Sequence, residues 1–205
     1  MIQYFEKSAQ DYLKNSQSFF WSFFRKRELQ TIDFLLSPNS KMSLLDLGSG
    51  AGFYSIFFKN KYRINVLGVD SSPAMVEQLK LNGIEYVLDS IENFVSSEKF
   101  DLVLAAGVME FVDNPEKVFR NILASIAPNG RLVILVPRSG IGGRMYKIHH
   151  KLKKCPVQIR SAETYKRIAS HLGFNFSKIF YPTPISCAIC FTISNLNEFK
   201  TIHGE

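Results

Sequence analysis

The sequence turns on one short stretch, Leu44-Leu45-Asp46-Leu47-Gly48-Ser49-Gly50-Ala51-Gly52. Ser43 to Leu47 is an apolar run broken only by Asp46 and closed by glycines, the pattern of a parallel strand buried on both faces. Phe53 to Phe58 then has the length and apolar content to open a helix. A strand, a glycine turn and a helix N-terminus let a charged ligand approach at backbone distance. Asp70 closes the next predicted strand, Asn65 to Val69, at the place where a carboxylate accepts hydrogen bonds from ribose hydroxyls. Together these features predict a ligand that contains a nucleoside.

Two details argue against a nicotinamide dinucleotide. The third glycine arrives one residue early, giving Gly-x-Gly-x-Gly in place of Gly-x-Gly-x-x-Gly. Asp46 also puts a negative charge where a pyrophosphate would approach, and so suits a ligand with a positive group. Leu-Asp-Leu-Gly-Ser-Gly-Ala-Gly, followed by Gly-Val-Asp-Ser-Ser-Pro-Ala-Met, resembles the first two motifs of class I S-adenosylmethionine-dependent methyltransferases of the small-molecule type. The resemblance covers residues 43 to 140 well and the flanks loosely. It implies S-adenosylmethionine as cofactor, S-adenosylhomocysteine as product, and a cofactor site built from several motifs. The first motif contributes Asp46, Gly48, Ser49 and Gly50; the second contributes Asp70, Ser71 and Met75. Asp89, Ser90 and Ile91 are expected at the adenine, and Ala106 and Gly107 at the end of the fourth strand. A glycine turn that merely packs helix on strand would explain neither Asp46 nor Asp70. For Asp89, a plain turn cap is the competing reading.

The expected fold is α/β: a single Rossmann-like, doubly wound, mostly parallel sheet of about seven strands with a late antiparallel hairpin. A helical extension over residues 1–36 precedes the methyltransferase-like domain at 37–205. In the extension Phe5, Ala9, Tyr12 and Leu13, then Leu29, Ile32, Leu35 and Leu36, recur at helical spacing. Between them, Phe19-Phe20-Trp21-Ser22-Phe23-Phe24 and Arg25-Lys26-Arg27 carry more aromatics than one buried stripe needs. Three readings stand: a wall of the acceptor pocket, packing on the sheet, or shallow contact with a membrane surface. Ser72, Asn114 and Ser161 look like helix caps, with prolines following the first two. Pro137 to Gly143, with three glycines, reads as a loop that serves as a mobile lid or hinge. Phe174 to Tyr181 and Ile185 to Ile193 read as the hairpin.

Composition bounds the partners. The chain has 205 residues, 46% hydrophobic and 21% charged, as in a globular domain. No apolar run approaches the roughly 20 residues of a membrane span, and the N-terminus lacks an apolar signal region, so a cytoplasmic protein is expected. Cys155, Cys187 and Cys190 do not suit a disulfide framework, and the last two read as core residues of a strand. The net charge of +7 is confined to Arg144–Arg167, where Arg144, Lys147, Lys151, Lys153, Lys154, Arg160, Lys166 and Arg167 oppose only Glu163. That segment is either a solvated face or a landing site for an anionic partner, RNA or an acidic carrier protein.

Methyl transfer from a sulfonium needs mainly proximity and exclusion of water. No metal is expected, because the fourth strand ends Ala105-Ala106-Gly107 without a carboxylate. The fourth motif of the family is commonly written with Glu-His; here it reads Glu110-Phe111, which removes one candidate base. His149 and His150 are the remaining candidates, with two solvent-facing histidines as the plainer reading. The expected reaction is methylation of an oxygen or nitrogen of a small, partly apolar or anionic metabolite, with no DNA substrate. A macromolecular anionic acceptor and a non-catalytic cofactor-binding protein stay open as alternatives.

Overall fold

A computed structural model of the chain describes residues 19–152 and 155–193. The order is α1 (Phe19–Leu36), β1 (Ser43–Leu47), α2 (Phe53–Tyr62), β2 (Asn65–Asp70), α3 (Pro73–Leu81), β3 (Glu85–Leu88), β4 (Phe100–Ala106), a 3-10 turn (Met109–Phe111), α4 (Pro115–Ser125), β5 (Ile126–Pro137), α5 (Ile141–Leu152), α6 (Ala162–His171), β6 (Phe174–Thr183) and β7 (Ser186–Ile193). The strands form one seven-stranded sheet in the order β3-β2-β1-β4-β5-β7-β6. The first five strands in the chain run parallel, and β7 is antiparallel to both β5 and β6. This is the expected Rossmann-like sheet with its late hairpin.

The apolar runs of β1, β4 and β5 are buried on both faces, which makes a three-layer sandwich with two cores. One core joins Leu45, Val103, Ile134 and Phe191 to Phe119 of α4 and Tyr165 of α6. The other joins Leu44, Leu102 and Val133 to Ile32 and Leu36 of α1 and Phe58 of α2. Cys187 falls in the first core and Cys190 in the second, because residues three apart on a strand point to opposite faces. Cys-x-x-Cys here is two core positions.

α1 is anchored as part of this sandwich. Lys61 and Tyr62 of α2 both donate to Asp33, each at 2.6 Å, and Arg131 of β5 donates to Leu36 O at 2.8 Å. Asn114 and Ser161 cap α4 and α6 as expected, accepting from the amides of Lys117 and Thr164. Ser72 precedes α3 without a side-chain cap bond.

The lid reading is corrected. Gly142 and Gly143 lie inside α5, which begins at Ile141. A Cβ on Gly143 would stand 2.3 Å from Arg138 O, so this glycine serves close packing of the helix start. The helix that Asn114 caps stops at Ser125, and β5 starts at Ile126 with a register break against β4 before Arg131. Phe5, Ala9, Tyr12, Leu13, Lys153, Lys154 and His203 lie outside the described residues, as do the side chains of Phe19, Phe20, Trp21 and His149.

Candidate active site

β1 is flanked by β2 on one side and β4 on the other, so the sheet's connections diverge at its carboxyl end. In such sheets that switch point opens a crevice. The glycine turn lines it. The amides of Gly48 and Ser49 donate to Val69 O at 2.7 and 3.0 Å, fixing the turn against the end of β2. The Asp70 carboxylate accepts from the amides of Gly50 and Ser72, both at 2.9 Å, and so ties the turn to the start of α3. Burial raises the Asp70 carboxyl above its ordinary value against the pull of these amides. Gly50 and Gly107 have left-handed φ of +54° and +69°, and a Cβ on either would meet nothing within 4 Å. Backbone at both positions therefore faces open space, the cradle a nucleoside ligand requires.

Asp46 lies beneath the turn, 1% exposed, accepting from Ser55 Oγ of α2 at 2.6 Å. Burial pushes its carboxyl up to about 7, with the nearby Asp70 adding to the rise and Ser55 opposing it. At the third strand, Asp89 N donates to Asp70 O at 3.1 Å and Asp89 accepts from the amide of Ser90 at 2.7 Å. Ile91 and Met75 are buried, while Ser71 and Gly107 are exposed.

Next to the crevice is a cavity of about 190 Å³. Ala106 and Gly107 form one side, Glu110 and Tyr146 another, and Phe24, Arg25 and Glu28 of α1 close it. Arg25 also stacks on Phe53, the first residue after the glycine turn, at 5.1 Å. The 3-10 turn that carries Glu110 is clamped from outside. Gln158 N donates to Glu110 O at 2.7 Å, and the Arg160 guanidinium donates to Met109 O at 3.3 Å, Val112 O at 2.8 Å and Asp113 O at 3.3 Å. Glu110 is 1% exposed, and its Oε1 accepts from the Tyr146 hydroxyl at 3.1 Å. Burial pushes its carboxyl up to about 7; Tyr146 opposes the rise and Glu28 adds to it. Glu28 is also raised by burial, against a hydrogen bond with Ser186 and the charge of Arg25.

A family model described as a methyltransferase domain matches residues 20–178, most of the chain. The chain belongs to this methyltransferase family. Among its relatives, the mitochondrial ubiquinone biosynthesis O-methyltransferase of Schizosaccharomyces pombe is 30% identical over 140 residues, covering 62% of this chain and 51% of that protein. The chain spans about half the length of the curated relatives it matches. Among solved structures, an S-adenosylmethionine-dependent methyltransferase of Thermotoga maritima superposes with a TM-score of 0.74 at 21% identity, over 93% of this chain and 98% of that one. Magnesium protoporphyrin IX methyltransferase of Synechocystis, solved with S-adenosylhomocysteine, gives 0.72 at 16% identity over 94% and 97%. At these identities the structures share the fold.

Of the predicted cofactor residues, Gly50 and Asp89 are hydrogen-bonded to Asp70 at the ends of β2 and β3, Ala106 and Gly107 line the cavity, and Asp46, Met75 and Ile91 are buried. His150 is buried against Tyr146, ring centroids 4.3 Å apart, and meets Phe111 edge-on at 5.8 Å; Tyr146 is the residue of α5 that lines the cavity. No sequence motif marks Glu28, Tyr54, Tyr146 and Ser186, and the reading of Glu110-Phe111 rests on the missing histidine and not on Glu110. The one available signal was Glu110 itself, an acidic residue in an apolar run just past a strand end. Of the eight cations, Arg160 is turned inward to carbonyl groups, and Lys166 pairs with Glu163 at 3.5 Å and covers Phe176. Arg144, Lys147 and Lys151 are exposed on α5. Among the described residues, no helix is long and apolar enough to cross a membrane.

Proposed function

We propose that this methyltransferase moves the methyl group of S-adenosylmethionine to an oxygen or nitrogen of a small acceptor held between α1, the end of β4 and α5. The observation that carries this is the cavity that begins at Ala106 and Gly107, the shared wall of crevice and cavity. Gly48, Ser49 and Gly50 would hold the amino-acid part by backbone, and Asp46 beneath them supplies charge opposite its cationic groups. Asp70 and Ser71 would hold the ribose, with Met75 supporting them from below; Asp89, Ser90 and Ile91 would take the adenine. The open left-handed glycines fit such a ligand, because a side chain at Gly50 or Gly107 would occupy that space. When bound, S-adenosylmethionine supplies a methyl group activated by its sulfonium.

The chain's own residues orient the acceptor and keep water out. Phe24, Tyr54, Leu135, Val136 and Pro137 give the cavity apolar walls, and Glu28, Glu110, Tyr146 and Ser186 give it polar points. Several curated relatives are named as ubiquinone biosynthesis O-methyltransferases, which supports oxygen as the receiving atom. Titration calorimetry with S-adenosylmethionine, followed by incubation of the labelled cofactor with metabolite fractions, tests this. Binding with label transferred to a small molecule is expected. Protein that prefers NAD, or that labels only RNA or a carrier protein, would refute it.

A further inference from the structure

Building on that methyl-transfer reading, we infer that Glu110 receives the acceptor's proton and that its cavity takes a neutral protic head, a hydroxyl or amine on a frame of single-ring size. Glu110 Oε2 is buried and has no hydrogen-bond partner among the described residues, while Oε1 is engaged by Tyr146. A buried carboxylate oxygen with nothing to accept is costly, and a ligand that donates to it removes the cost. The turn that carries it is held in place, because Gln158, Arg160 and the Tyr165 hydroxyl donate to the carbonyls of Met109, Glu110 and Val112. Its position on the turn just past Gly107 puts it on the cavity wall adjoining the cofactor crevice. The volume of about 190 Å³ admits a single substituted ring beside Phe24, Tyr54 and Tyr146.

The step balances. The acceptor oxygen or nitrogen bonds to the methyl carbon as the sulfur–carbon bond breaks, and sulfur keeps that electron pair. The acceptor's proton passes to Glu110 Oε2, so a cation and a carboxylate become a neutral thioether and a carboxylic acid. Solvent takes the proton when product leaves. The titratable and charged groups around Glu110 are Glu28 and Arg25 on α1, Tyr146 with His150 behind it on α5, and Tyr165 with Arg160 on the far side. Burial and Glu28 hold the Glu110 carboxyl near neutral proton affinity, which suits a base working close to neutral pH.

Calorimetry with S-adenosylhomocysteine comes first, since failure to bind it removes the methyl-transfer reading itself. With that ligand bound, catechol and aniline, both uncharged near neutrality, probe O–H and N–H heads. At least one should bind, and Glu110→Gln should weaken it about tenfold or more while leaving S-adenosylhomocysteine affinity within about twofold. With labelled S-adenosylmethionine, transfer to that probe should rise through pH about 7. Glu110→Gln should slow it about 100-fold or more and abolish the rise. Tyr146→Phe removes a hydrogen bond that favours the carboxylate and should move the rise to higher pH, a readout that stands even if Glu110→Gln does not fold. The inference falls if neither probe binds, if Glu110→Gln keeps its rate within about threefold, or if Tyr146→Phe leaves the pH profile in place. It also falls if EDTA abolishes turnover and magnesium restores it, because the two carboxylates would then be metal ligands.

Discussion

Asp46 is a buried carboxyl beneath the glycine turn, hydrogen-bonded to Ser55. It is 1% exposed, and burial holds it at about 7, so near neutrality it is only partly ionised. A cationic ligand above it favours the ionised form, so binding should release a proton below pH 7. Affinity for S-adenosylmethionine should therefore weaken as pH falls from 8 towards 6. Calorimetry in buffers of different ionisation heat measures the proton directly, and proton uptake in place of release would contradict this role. The glycines above it separate strain from contact. Gly48 has φ +68°, and a Cβ there would stand 2.4 Å from Val108, so Gly48→Ala should cost about 1–3 kcal/mol of stability as well as affinity. A Cβ on Gly50 meets nothing within 4 Å, so Gly50→Ala carries only its backbone strain, about 1 kcal/mol, yet intrudes on the ligand. Thermal melts and calorimetry on the pair should show similar losses of affinity but unequal losses of stability.

At the scale of elements, the decisive contacts join pieces far apart in sequence. Arg160 lies ahead of α6 yet holds the turn after β4, 51 positions away at Met109. Arg160→Leu should cost about 1–3 kcal/mol, the scale of charge-assisted bonds in a partly exposed setting. It should also slow methyl transfer while sparing cofactor affinity, because the turn carries Glu110 and not the glycine loop. A variant with unchanged turnover would make Arg160 a stability residue only. α1 supplies Phe24, Arg25 and Glu28 to the cavity, and its own burial rests on Ile32, Leu35 and Leu36. Deleting residues 1–30 should therefore leave the sheet folded but remove one cavity wall. Acceptor binding should fall more than cofactor binding, and a truncated protein with full activity would show the wall to be dispensable.

For the whole molecule, two buried acids set the response to pH. Burial raises Asp46 and Glu110 both to about 7, from ordinary carboxyl values of 3.8 and 4.5. A carboxyl raised on folding contributes stability that is complete below its unfolded value and is lost as pH rises through the folded one. The thermal midpoint should thus decline between pH about 4.5 and about 7, and Glu110→Gln should flatten part of that decline. A midpoint that climbs across this window would contradict the burial of these groups. The exposed cations of α5 act at longer range. Charges of this kind mostly steer encounter and are screened beyond about 8 Å at physiological salt. If the acceptor is anionic beyond its reacting head, KM should rise with ionic strength at constant kcat, and changing Arg144, Lys147 and Lys151 to Gln should reproduce that rise at low salt.

The sheet and the cofactor crevice were legible because they are local. Asp46, the glycines and Asp70 announce themselves through strand patterning, positive φ and a spacing imposed by one strand–helix–strand unit. The hairpin and the opposed faces of Cys187 and Cys190 follow from a period of two. Of the cavity only the α1 wall was legible, as one of three readings of its aromatics; the other walls come from the turn after β4, α5 and the hairpin, and no sequence period links Glu28 to Glu110 or Tyr146 to Ser186. The three glycines after β5 misled for the same reason: two of them are packing positions set by Arg138 O and Ile185, contacts that exist only once the helix is docked. The sequence by itself determined the fold class and the ligand the crevice suits, since both are encoded in short stretches of backbone conformation. Tertiary structure decided which carboxyl is buried, which oxygen is left without a donor and which cations turn inward, since burial and hydrogen bonding depend on neighbours that the chain brings together only by folding.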